Sequence, residues 1–178
     1  MATTNYYAPL ISPTILKTLI SEINNNISDD YIMTTIEMEQ KKNIRPLLGY
    51  SFYNQIQEQY TGGTLTTANT IIYEDYVRVI LAYLVYKRLI NTMTYQLENS
   101  GLRKKYSDVS EVAEPNELVY IRKEIQDDID YYKKEMVKYL CENSSSYPLY
   151  INDTDDRYNS LDNARAKGFS FGWNISKI

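Results

Sequence analysis

Histidine is absent from this chain, and cysteine occurs once, at Cys141. Without imidazole there is no Ser-His or Cys-His pair to activate a nucleophile, and no histidine ligand for zinc. A lone cysteine excludes an internal disulfide and suits a reducing compartment. Cys141 ends an amphipathic stretch with no partner residue in view, which reads as an incidental thiol. The opening "MATTNYYAPLISPTILKT" has no basic stretch leading into an apolar run, so no signal peptide is expected. No uninterrupted apolar run reaches bilayer-spanning length, and no membrane partner is expected. The sequons at Asn143, Asn152 and Asn174 therefore carry little weight. Positive charge is outnumbered: the formal net charge is −4, which argues against affinity for nucleic acid. The local exception, "LRKKY" from Leu102 to Tyr106, reads as a solvated loop.

What is abundant is tyrosine, nineteen against three phenylalanines. A phenol buries its ring and keeps its hydroxyl wet, which suits interfaces, although an AT-rich genome raises Asn, Ile, Lys and Tyr together. The length of 178 residues suits one domain with appendages. Ser12-Pro13 reads as a helix cap and first turn, followed by Ile15, Leu16, Leu19, Ile20 and Ile23 at helical spacing until Asn24–Asn26. Ser28, Asp29 and Asp30 open a second helix with Lys41 and Lys42 at its end. Pro46 should push Arg45 out of helical geometry and stop that helix by Asn43. Pro46, Leu47, Leu48 and Gly49 then form a structural turn, with the leucines buried and the glycine free to take a positive φ. Phe52, Tyr53, Ile56 and Tyr60 restart the helical period until Gly62-Gly63.

Residues 68–93 contain no glycine or proline and carry Ile72, Tyr76, Val79, Ile80, Tyr83, Leu84, Tyr86, Leu89 and Ile90. They predict the central helix of an all-α bundle. Residues 94–114 have no sustained period and read as a long loop or an irregular β-like arm around Gly101, Arg103, Lys104 and Lys105. From Glu114-Pro115 a long helix runs to about Glu142, with Leu118, Ile121, Ile125, Ile129, Tyr132, Met136 and Leu140 as its stripe. Both a surface helix and an oligomer seam fit that stripe. The expected organisation is an N-terminal extension (1–11), a helical domain (12–143) and an extended C-terminal tail (144–178). In the tail, Phe169, Phe171, Trp173 and Ile175 fall on one face of an extended chain, an aromatic hook for its own core or, by preference, for a sister chain or another protein.

Sites for chemistry are not apparent. Gly62-Gly63-Thr64 lacks the lysine and glycine spacing of a phosphate loop. "NDTDD", Asn152 to Asp156, lacks the glycine and closing glutamate of a helix-loop-helix calcium site. Glu111, Glu114, Glu117, Glu124, Asp127, Asp128 and Asp130 alternate with lysines as a wet surface does. No catalytic residue, metal or cofactor is expected.

The order "IRPLLGYSFYNQI", "YEDYVRVILAYLVYKRLINTM", "ENSGLRKKYSD" and "EPNELVYIRKEIQDDIDYYKKEMVKYLCEN" carries a resemblance over roughly residues 12–143. It resembles the head–tail connector (head-completion, portal-adaptor) proteins of tailed bacteriophages, most closely the form found in phages of gut Bacteroidetes. Members show a PLLG–aromatic turn, a long central helix, a glycine-centred arm and a final helix ending near "YL". The resemblance implies a structural virion protein, assembled in the bacterial cytoplasm and placed at the head–tail junction. It implies a homo-oligomeric ring, commonly of twelve copies, between the portal protein and the next tail component. DNA would pass through its channel without specific binding. A rival reading from the residues is a monomeric helical adaptor that uses its aromatic tail as a docking peptide.

Overall fold

The computed structural model describes residues 8–98, 101–104 and 115–151. They form an all-α bundle of six helices with one hairpin. Helix α1 (Pro13–Leu19) starts as its sequence predicts: Ser12 Oγ accepts from the Ile15 N–H at 3.2 Å, and Pro13 occupies the first turn. It stops well before the asparagine run. Ile20 turns extended, and the Asn24 side chain accepts from the Asn26 N–H, so local side-chain bonding displaces the helical ladder. Ile20 and Ile23 are still buried, outside any helix.

Helix α2 departs from the sequence reading. It comprises Asp29–Glu39, a π turn Gln40–Ile44, and Arg45–Leu48. Arg45 is helical, and its N–H donates to the Gln40 carbonyl, five residues back. The wider π ring gives the Pro46 ring the slack that a regular turn denies it. The helix therefore ends at Gly49, not Asn43, and the exposed Lys41 and Lys42 sit mid-helix. Gly49 has φ 77° and ψ 159°, the positive φ expected of this turn. Leu48 is fully buried, while Pro46 and Leu47 are half-buried.

Helix α3 (Tyr50–Gly62) closes with left-handed Gly63; the Thr64 N–H reaches the Gln59 carbonyl at 2.8 Å. Helix α4 comprises Thr67–Ile71, a π turn Ile72–Val77, and Arg78–Thr94. No residue from Tyr76 to Ile90 is exposed, as expected of the central helix. Strand β1 (Tyr95–Glu98) follows α4 without a break and pairs antiparallel with β2 (Gly101–Lys104), Leu97 opposite Leu102. Helix α5 (Pro115–Glu142) keeps its predicted bounds. Both α2 and α5 pack along α4.

The packed body extends past both ends of the expected helical domain. Leu10 and Ile11 precede it in sequence and are fully buried. Beyond Glu142 come a 3₁₀ turn (Ser144–Ser146) and helix α6 (Pro148–Ile151). Tyr147 and Tyr150, read from sequence as tail, lie edge-on to Phe52 at 5.7 and 6.1 Å, buried in the core. Aromatic area of this size outweighs the polarity of the surrounding Ser and Asn.

Candidate interaction surface

Tyrosine does much of its work inside. Along the α4–α5 seam, Tyr76 meets Tyr139 at 5.8 Å and Tyr83 stacks on Tyr132 at 6.0 Å. Each helix contributes tyrosines seven residues apart and in opposite order, so the two run antiparallel in heptad register. One turn further along, Lys87 Nζ donates to Gln126 Oε1, and Gln126 Nε2 donates to Asp130 at 2.7 Å. Burial pushes the Lys133 ammonium below the ordinary lysine range; Asp130 opposes that shift and Lys87 adds to it.

The opposite seam carries an ion pair whose carboxylate is buried and whose guanidinium is half-buried. Arg88 Nη1 lies 3.1 Å from Glu39 Oε1, and Asn43 Nδ2 donates to Glu39 Oε2 at 2.6 Å. The Glu39 side chain is only 7% exposed, so removing its cation leaves a carboxylate with little water. Arg88→Met is expected to cost about 2 kcal/mol in urea unfolding, and adding Glu39→Gln to recover most of it. An unrecovered double variant would mean that the arginine acts through packing.

Another polar group faces the chain's own beginning. The Gln40 Oε1 accepts from the Leu10 N–H at 2.8 Å, and its Nε2 donates to the Ala8 carbonyl at 3.0 Å and to Tyr53 Oη at 2.7 Å. Gln57 Nε2 donates to the same Ala8 carbonyl at 2.7 Å, and the Tyr73 hydroxyl to the Leu10 carbonyl at 2.7 Å. Three helices thus converge on the backbone of one strap. The sequence reading missed this clamp. Its one local signal is the apolar Ile11 just before the Ser12 cap with Leu16 inside the helix, the pattern of a hydrophobic staple.

Outward surfaces are sharply uneven. On α5, Val119, Tyr120 and Tyr131 are about three-fifths exposed, at 61%, 63% and 60%. Tyr120 and Tyr131 are eleven residues apart, three turns of helix, and so share one face with Glu124, Asp127, Lys134 and Lys138. A hydrogen bond with Glu124 raises the Tyr120 pKa. On α2, Tyr31 and Met38 are exposed seven residues apart. The acids Glu117, Glu124, Asp127, Asp128 and Asp130 are all exposed, the wet surface expected of them. Glu111 and Glu114 lie outside the described residues. Among those described, no group of three His, Cys, Asp or Glu side chains is placed to hold a metal ion.

Of the residues predicted to make contacts, Gly101, Arg103 and Lys104 lie on β2, at the far end of α4. Lys105, the tail residues Phe169, Phe171, Trp173 and Ile175, and "NDTDD" lie outside the described residues. Among the described residues, no helix is long and apolar enough to cross a membrane.

No curated protein and no solved structure matches this sequence. A family model matches residues 44–160, from the start of the "IRPLLG" segment through α5 and the α6 turn, which is more than half of the chain. On that match, the chain belongs to the family of unknown function DUF6712.

Proposed function

We propose that this protein is a structural virion component, a ring-forming connector that sits beneath the portal and joins head to tail. The observation that carries the reading is the outer face of α5. A helix already packed on α4 along one stripe presents Tyr120 and Tyr131 to solvent on the other. Exposed aromatics of this size are the residues that anchor protein interfaces. The resemblance of the residue order to that of connector proteins supports the same reading, as does the β-hairpin arm at the end of the central helix. The ring's neighbours are further copies of the chain, the portal and the next tail component. A net charge of −4 suits a channel that lets DNA slide without gripping it.

The test is the mass and shape of the full-length protein, alone and with its cognate portal, by native mass spectrometry and negative-stain microscopy. Rings, commonly of twelve copies, are expected on the portal, and Tyr131→Glu should weaken them at least tenfold in midpoint concentration. A 20.8 kDa species under both conditions would sink the connector and favour a monomeric adaptor.

A further inference from the structure

We propose that residues 8–23 form an arm exchanged between copies, with the arm of one chain seated in the Gln40–Gln57–Tyr53–Tyr73 clamp of the next. This goes beyond the connector reading, which does not say how neighbouring subunits grip one another. The clamp is built to hold a peptide. Its hydrogen bonds go to the main chain of Ala8 and Leu10, the mode by which proteins bind an extended segment. Gln40 opens one π turn and Tyr73 lies in the other, so both π turns among the described residues supply a clamp residue. Such turns are rare and gather at functional sites.

The piece that enters the clamp is separable. Leu10, Ile11, Pro13, Leu16, Ile20 and Ile23 are its buried side chains, and α1 lies among them against α2 and α4. A connection from Ile23 to Ser28 joins it to the body, and Asn24, Asn25 and Asn26 in it are exposed. Extended, that connection spans about 17 Å, so the arm can seat only on a copy packed directly alongside. One side chain latches the closed form: Lys17 Nζ donates to the Asn25 and Ile27 carbonyls, each at 3.1 Å, and pairs with Asp29 at 2.8 Å. Every contact between the arm and the body beyond Ser28 is the same whichever copy supplies the arm; the Lys17 bonds to the Asn25 and Ile27 carbonyls, in the connection, belong to the closed form alone. Arm and clamp are different patches, so the exchange runs head to tail and can propagate around a ring.

The Lys17–Asp29 pair joins arm to body and reports the exchange without any substitution. Unlabelled and heavy-nitrogen-labelled full-length chains are unfolded, refolded together and assembled. A carbodiimide then couples Lys17 to Asp29, and the protein is cut after Glu22. Exchange predicts that about half of the Lys17–Asp29 links join a light peptide to a heavy one. Links that are all light or all heavy overturn it, whatever the assembly state. Native mass spectrometry of the same sample separates the two ideas, because a ring with only unmixed links removes the exchange and leaves the connector reading standing.

Discussion

Replacing Gly49 by valine is expected to lower the free energy of unfolding by about 3 kcal/mol, read as a fall in the urea midpoint. At φ 77° and ψ 159° this residue occupies a region that is essentially glycine's alone. It ends α2 and begins α3 at once, and its carbonyl accepts the Tyr53 N–H at 3.0 Å. Its torsions therefore fix the angle between two helices whose flanking side chains, Leu48 and Phe52, are both fully buried. A valine that relaxed into an ordinary conformation would pull one of them out of the core. Gly63 supplies the contrast. It has φ 65° and ψ 28°, which asparagine tolerates, and a Cβ there would meet nothing within 4 Å. Gly63→Asn should cost less than about 0.5 kcal/mol. Asparagine at position 49 gains nothing from that tolerance, because the ψ there is wrong for it, and should cost about 2 kcal/mol. Equal midpoints for Gly49→Val and the unaltered chain would show that the turn does not set the packing.

These two glycines also mark how far local reasoning reached. Helix α5 kept its predicted bounds because a proline opens it and an unbroken stripe fills it; nothing distant is needed to read either. The turn at Gly49 was legible as a turn, but its proline was misread as a terminator. A proline forbids a regular helical turn, and the π turn at Gln40–Ile44 is not regular. A second π turn, Ile72–Val77, adds buried residues to the face of α4. Ile72 and Ile80 are buried as the period predicts, and Tyr76 packs half-buried against the core, but Tyr73, Val77 and Leu81 are buried as well, which the period did not single out. Gln40 and Gln57 were invisible for another reason. Amides look like surface in any window, and their partners are the carbonyl and N–H of a strap 30 and 49 residues away. Tyr147 and Tyr150 were lost among Ser, Asn and Pro because composition averages over a segment, while packing rewards single rings.

The buried phenols make the fold alkali-sensitive, and the sign follows from linkage. Burial, and after it the adjoining Tyr60, holds the Tyr73 pKa far above the ordinary tyrosine value. Burial and then Tyr139 do the same for Tyr147. In the unfolded chain both lose their protons near pH 10. Above that point the unfolded state binds fewer protons than the folded one, so stability falls as pH rises, by about 1.4 kcal/mol per pH unit for each phenol. Their contribution is complete below pH 10 and drains away through the folded values above it. Tyr76, Tyr83 and Tyr86, also raised chiefly by burial, add loss of the same sign. Phenylalanine at 73 or 147 separates this effect from packing. Each substitution forfeits the hydrogen bond to the Leu10 or the Ala68 carbonyl and the contact with a neighbouring hydroxyl, Tyr60 or Tyr139, and should cost about 1.5 kcal/mol at pH 7. Each also removes one titrating group. The stability curves of variant and parent should therefore cross near pH 11, with the variants the more stable beyond it. Urea unfolding by circular dichroism between pH 7 and pH 12 checks the crossing. Parallel curves across that range would mean that neither phenol keeps its proton in the folded state.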